Sequence, residues 1–256
     1  MNIFLKAYSD YYDLLYSDKD YESEVVYIHQ LLKKYNKNAK SILNLGCGTG
    51  NHDFFLIEHG YQVTGVDYSG INIAKANAKL SKLTLKESQL SFIKGDIRNI
   101  RLNRTFDVVL ALFHVMSYQI TNEDVKAVFS TAKTHLNKNG ILIFDCWYGP
   151  AVLTDRPSVR LKQIENEQVS IRRFAEPEIF PNENTVNVNY SVIIKDKSNN
   201  KISEIYESHM MRYFFNPEIQ EIIKQERFRL ISCTEWMTNK IPGFDTWNVC
   251  FIQTNE

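Results

Sequence analysis

Three glycines fall within five residues at Gly46-Cys47-Gly48-Thr49-Gly50. Glycine alone lets a ligand lie against the backbone of a tight turn, because it has no Cβ to clash. A ligand-free turn can show the same cluster, so the motif needs company. Its third glycine comes one residue too early for the GxGxxG fingerprint of dinucleotide enzymes. Asp67 lies 17 residues past Gly50, at the end of the apolar run YQVTGVD. An acid there can accept from both hydroxyls of a ribose. The plainer role for Asp67 is a helix N-cap, but Ser69 competes for it. Asp96, in Gly95-Asp96-Ile97, ends the next such run. Its carboxylate suits an adenine amino group, and the following N–H suits a ring nitrogen.

A second group of residues could move protons or hold an acceptor. His114 follows the apolar run FDVVLALF. An imidazole titrates near neutrality and can act as a general base; the alternative is a loop histidine packed beside Met116. Tyr118 is either a pocket hydroxyl or a packing aromatic. Arg156, Arg160, Arg172, Arg173 and Arg212 occur further on. They can bind a diphosphate or another acidic group, or simply be solvated charges on strand faces. Cys47, Cys146, Cys233 and Cys250 form no CxxC pair and no zinc spacing with histidine. No metal site is expected, and scattered single thiols suit a reducing compartment.

The elements that position these residues alternate between strand and helix. Residues 20–36 have helical spacing through Val25, Ile28, Leu31, Leu32 and Tyr35. A strand from Ser41 to Leu45 leads into the glycine turn. A short helix follows and closes at Gly60. Strands are expected to end at Asp67 and Asp96, with a helix over 70–80 between them. FDVVLALF is a fourth strand, 122–136 a helix, and Asn139-Gly140 a turn into the fifth strand, ILIFDCW. Such alternation predicts a parallel sheet covered on both faces, with the ligand at the carboxyl ends of the strands. From Val159 to Phe214 the helical period disappears. Val186, Val188, Tyr190, Val192 and Ile194 alternate with polar residues. This predicts three or four antiparallel strands. Pro217 then opens a helix, and two strands complete the chain.

The expected organisation is a core made of 1–150 and 215–256, with 151–214 as an antiparallel β insertion serving acceptor binding or dimer contacts. The chain has 256 residues, no net charge and 44% hydrophobic residues. That gives no footprint for nucleic acid or an anionic membrane. Neither a signal peptide nor an apolar run long enough for a span is apparent, so a cytoplasmic location is expected.

ILNLGCGTG, VTGVDYS, FIKGDI and FDVVLALF together resemble the successive motifs of class I S-adenosylmethionine (SAM)-dependent methyltransferases. The resemblance implies a Rossmann-like α/β fold with a seven-stranded sheet whose last strand is antiparallel. SAM would be the cofactor and S-adenosylhomocysteine (SAH) the product. It puts Gly46, Gly48 and Gly50 around the methionine part, Asp67 on the ribose, and Tyr68 beside the adenine. Asp96 and Ile97 would bind the adenine edge, and Leu112 would lie under the cofactor. Asn44 departs from the family, which usually carries an acid there. The N-terminal run Tyr11-Tyr12-Asp13-Leu14-Leu15-Tyr16 resembles a narrower group, the N-methyltransferases of TDP-linked deoxyamino sugars. That likeness implies that Tyr16 closes over the cofactor and active site, with Tyr118 near the acceptor. Tyr12, Trp147, Tyr148 and Arg212 would contact the acceptor, and a homodimer could form through the insertion. His114 stands where that group usually has a small residue.

Several functions are consistent with these residues. The first is methyl transfer to the amino or hydroxyl group of a nucleotide-linked sugar in surface-polysaccharide synthesis. Another is methylation of a non-sugar, phosphorylated metabolite. A nicotinamide-dependent oxidoreductase and a SAM-binding module without catalysis are the remaining alternatives.

Overall fold

The computed structural model describes residues 6–86 and 88–255. Each core strand alternates its side chains between two faces, and each face meets a separate layer of helices. In β1 (Ser41–Leu45), Ile42 faces one way and Leu43 and Leu45 the other. In β4 (Phe106–Ala111), Val108 and Leu110 join the first face, Val109 and Ala111 the second. The first face is covered by α2 (Tyr21–Tyr35), α3 (Asn51–Glu58) and α4 (Gly70–Leu80), through Val25, Ile28, Leu56, Ile73 and Ala76. The second is covered by α5 (Asn122–His135) and α7 (Asn216–Gln225), through Val128, Phe129, Ile219 and Ile223. This two-sided burial explains why the strands read as continuous apolar runs.

The remaining core strands are β2 (Gln62–Asp67), β3 (Leu90–Lys94), β5 (Leu136–Tyr148), β10 (Phe228–Glu235) and β11 (Asn248–Asn255). Their order is β3-β2-β1-β4-β5-β11-β10, with β11 antiparallel to both its neighbours. This is the expected seven-stranded sheet. One local expectation changes. Asn139-Gly140 is not a turn before the fifth strand; both residues lie inside β5. Asn139 has φ +60°, and pairing jumps from Phe106–Leu136 to Val108–Ile141. The left-handed asparagine absorbs extra residues as a bulge.

Four antiparallel strands follow the short helix α6 (Gly149–Thr154): β6 (Arg160–Glu165), β7 (Val169–Phe180), β8 (Thr185–Asp196) and β9 (Ile202–Phe214). They join the core sheet where the end of β9 pairs in parallel with the end of β5, at Trp147–Tyr213 and Tyr148–Phe214. The inward face of these strands, including Ile171, Val192, Ile194 and Ile205, packs on Leu15 with Tyr11, Tyr12, Leu14 and Tyr16. The helix that carries most of these, α1 (Lys6–Leu15), therefore lies against the β6–β9 sheet. Among the described residues, no helix is long and apolar enough to cross a membrane.

Candidate active site

The glycine turn links β1 to α3. Gly46, Gly48 and Gly50 have φ of +78°, +58° and +81°. Other residues adopt these values only with strain. Gly46 and Cys47 both donate to the Val66 carbonyl, at 2.7 and 3.0 Å. Steric reasons differ along the turn. A Cβ on Gly46 would strike Val115 at 2.4 Å, and one on Gly50 would strike Phe92 at 2.5 Å. A Cβ on Gly48 would meet nothing within 4 Å. The backbone at Gly48 thus borders open space.

Asp67 stands beside that space. Its carboxylate accepts from the N–H of Gly48 at 2.9 Å and of Ser69 at 2.8 Å. Burial pushes its carboxyl above the usual range, against these backbone donors and Asn72. Ser69 does cap α4, accepting from the Asn72 N–H at 3.3 Å. Asp67 is left at the strand end rather than at the cap. Tyr68 is 60% exposed and free to flank a ring. Ile97 and Leu112 are buried in opposite core layers. Asp96 differs from the simple expectation. The Arg98 guanidinium holds both its oxygens, at 2.7 to 3.2 Å, and also reaches Asp124 at 2.8 Å. Arg98, against opposing burial, keeps the Asp96 carboxyl below the usual range. An adenine amino group would share Asp96 with Arg98.

A clasp from α1 covers the turn. Asp13 accepts from Thr49, ion-pairs with Lys79 at 2.9 Å and contacts Asn51. Lys79 also donates to Thr49 and to Asn51, the latter at 2.8 Å. Burial works to raise the Asp13 carboxyl, but Thr49 and Lys79 win and hold it low. Below the turn, Asn44 donates to Asp53 at 2.9 Å, and both residues are buried. The turn is an open backbone cradle with an acid at the next strand end. These features fit SAM in the arrangement the resemblance implies, in which Gly46, Gly48 and Gly50 would border the amino-acid part and Asp67 would meet the ribose.

The second group of candidate residues begins at the end of β4. Phe113 and His114 have φ of +64° and +62°, two bulky residues in succession in the left-handed region. Such strain persists only where surrounding structure enforces it, and it clusters at functional sites. The enforcing group is Asp145 in β5, which is 1% exposed. Its Oδ2 accepts the His114 backbone N–H at 3.1 Å and lies 2.8 Å from His114 Nδ1. The ring stands at ion-pair distance from the carboxylate, while the hydrogen bond to it comes from the backbone N–H. The ring also contacts Phe113 and Trp147, at centroid distances of 5.4 and 6.2 Å.

Nearby, the Tyr118 hydroxyl lies 2.9 Å from His209 Nδ1, and His209 Nε2 lies 3.0 Å from Glu207. Glu207 and His209 are buried on β9, and burial raises the Tyr118 phenol well above its usual range. Tyr190 packs on His209 at 5.1 Å, and Arg173 lies over both Tyr190 and Tyr16. Arg173 donates to the Tyr16 hydroxyl at 3.0 Å. Tyr16 in turn touches Tyr12 and Phe113, at 4.8 and 5.3 Å. Tyr12, Tyr16, His114, Tyr118, Trp147 and Arg173 are thus joined in one aromatic cluster between β4, β5 and the β6–β9 sheet.

Tyr148 and Arg212 do not join it. The pleat decides both cases. Asp145 and Trp147 share one face of β5, while Tyr148 faces the α5–α7 core layer. Glu207 and His209 share one face of β9, and Arg212 is on the other. Arg212 is buried against Glu218, Asn122 and the Phe214 ring. It ties β9 to α7. Asp145, Glu207 and His209 are the site residues that sequence reasoning did not single out. The alternation Ile205, Glu207, His209, Met211 within the strand was the available signal.

Residues 42–140 match the model of a methyltransferase domain. A dTDP-3-amino-3,4,6-trideoxy-alpha-D-glucopyranose N,N-dimethyltransferase of Streptomyces venezuelae is 31% identical over 151 residues, 58% of this chain and 60% of that protein. An S-adenosylmethionine-dependent methyltransferase from Clostridium acetobutylicum has the same fold, with TM-score 0.82, 22% identity and 97% coverage of both chains. So does a SAM-bound amino pentose methyltransferase from Micromonospora echinaspora, with TM-score 0.76, 19% identity, and coverage of 100% of this chain and 99% of that one. The chain spans about 60% of the length of the curated sugar methyltransferase relatives it matches. Residues 42–140 thus match a methyltransferase domain, and the strand order and the glycine turn are similar to those of the SAM-dependent methyltransferases whose fold the chain shares.

Proposed function

We propose that the protein transfers a methyl group from SAM to an amino or hydroxyl group of a small polar acceptor, a nucleotide-linked sugar of the kind used in surface-polysaccharide synthesis. One observation carries the proposal: His114, in close contact with Asp145, and the hydrogen-bonded chain Tyr118–His209–Glu207 stand in one aromatic cluster beside the glycine turn. The similarity to a TDP-amino sugar dimethyltransferase supports the sugar.

SAM supplies a methyl group on a sulfonium, which a lone pair displaces in line. The residues of this chain must align the acceptor, exclude water and take a proton. Asp145 holds the His114 backbone N–H, and the imidazole receives the proton an acceptor nitrogen or oxygen loses as its bond to carbon forms. Tyr16, Phe113 and Trp147 supply apolar walls. Arg173 is the arginine placed to meet a diphosphate. A phosphorylated metabolite without sugar would use Arg173 equally well, and this is the second reading. Incubation with SAM and a panel of TDP-amino sugars, TDP-sugars lacking the amine, and simple phosphorylated metabolites tests both. Methylation of a nucleotide sugar, seen as a mass gain, supports the first. Methylation of the phosphorylated metabolites alone selects the second, and no transfer to any of them refutes both.

A further inference from the structure

Asp53 is a fully buried acid with too few partners. It lies in the first turn of α3, and its one side-chain donor is Asn44, which is 1% exposed. Asn44 Oδ1 and Asp53 Oδ2 are both buried with no hydrogen-bond partner among the described residues. The charged and titratable groups around the pair do not help. Asp67 at the end of β2 opposes ionisation of Asp53, and the Cys47 thiol of the turn is kept neutral by burial. His52, next to Asp53 on α3, is paired with Glu24 of α2 at 2.7 Å. A buried carboxylate with one neutral side-chain donor and its own backbone N–H, and no cation, is strongly disfavoured. Either a proton or an incoming cation must complete it.

The location identifies the cation. Asn44 is two residues before Gly46, and Asp53 is three after Gly50, so the pair lies at both ends of the glycine turn. SAM brings an ammonium at its amino-acid end. We infer that Asp53, held by Asn44, is a positioning residue for the cofactor: it supplies a buried negative charge at the turn and gives up a proton to solvent when the cationic amino-acid end of SAM binds. The balance is simple. The free protein holds Asp53 as the neutral acid, SAM binds as a cation, and one proton leaves to water. Burial pushes the Asp53 carboxyl up to about 7, so both forms are accessible near neutrality. Asn44 belongs to the same arrangement. An acid at that position would put two carboxylates within hydrogen-bond distance, whereas the amide leaves room for one.

The inference rests on SAM as the cofactor and not on the acceptor. The test is calorimetric titration of SAM into the wild type, Asp53→Asn and the exchange variant Asn44→Asp/Asp53→Asn, each at about pH 6 and about pH 8. Relative to Asp53→Asn, the wild type should gain about tenfold in affinity between the two pH values, as linkage to one group near neutrality requires. Asp53→Asn should bind about tenfold more weakly than wild type at the higher pH, through loss of a charge-assisted contact. It should still fold, because an amide mimics the protonated acid. The exchange variant returns the acid to the other end of the same hydrogen bond and should recover most of the affinity. Equal SAM affinity and pH dependence in wild type and Asp53→Asn would overturn the inference. So would an exchange variant no better than Asp53→Asn. A wild type that binds no SAM would instead refute the cofactor assignment, and the inference with it.

Discussion

The proposed donor and acceptor sides of the cleft are built by different means. The donor side uses backbone: left-handed glycines, main-chain N–H groups, and Asp67 at a strand end. The acceptor side uses side chains brought together across more than ninety residues of sequence, such as Tyr118 and His209. Backbone sites depend on local chain geometry and tolerate little change. Side-chain sites on a sheet face can be refitted by exchanging residues at alternate positions. A family can therefore keep one donor and vary its acceptor.

Variants can break or sharpen this contrast. The largest effect is expected for His114→Ala, with kcat lower by about 10³-fold and SAM affinity nearly unchanged if transfer is to oxygen. Steady-state kinetics with calorimetry checks this, and normal turnover would mean an amine acceptor that does not use His114. Next is Arg212→Met, which removes a buried guanidinium and leaves the half-buried Glu218 without its partner. Urea unfolding should show a loss of about 3 kcal/mol, while acceptor KM stays as in wild type. A raised KM at full stability would return Arg212 to the acceptor site. Asp67→Ala should weaken SAM by about 2 kcal/mol, by loss of charge-assisted hydrogen bonds; unchanged affinity would remove Asp67 from the ribose. The smallest effect belongs to Tyr148→Phe, where stability and turnover should change by less than about 0.5 kcal/mol. A large fall in turnover would contradict the pleat assignment of β5.

The same contrast explains what the sequence made legible. The strand end at Asp67 and the turn between Gly46 and Gly50 are local patterns, and the structure has them where expected, whereas β3 ends at Lys94, two residues before Asp96. Arg98 reaches Asp96 from two residues away, but its second anchor, Asp124 of α5, is distant in sequence and not part of a local pattern. Asp145, within the stretch Asp145-Cys146-Trp147-Tyr148, takes no site role from the sequence, because the fifth strand runs on to Tyr148 and the pleat, not the motif, decides which of 145–148 face the cleft. Strand alternation would have separated His209 from Arg212, but it cannot say that Tyr118 waits opposite. The buried pair Asn44–Asp53 shows in sequence only as a missing acid before the turn. Its partner, one helical turn beyond, becomes visible when the chain folds back.

The most direct test of the two-sided cleft is a crystal structure with SAH and a TDP-amino sugar bound together. The account predicts SAH along Gly46 to Gly50 with its ribose on Asp67. The sugar amino group should lie within about 3 Å of the His114 imidazole or the Tyr118 hydroxyl, and the diphosphate toward Arg173. A sugar bound against Arg212 and Tyr148, with His114 and Tyr118 out of reach, would contradict it.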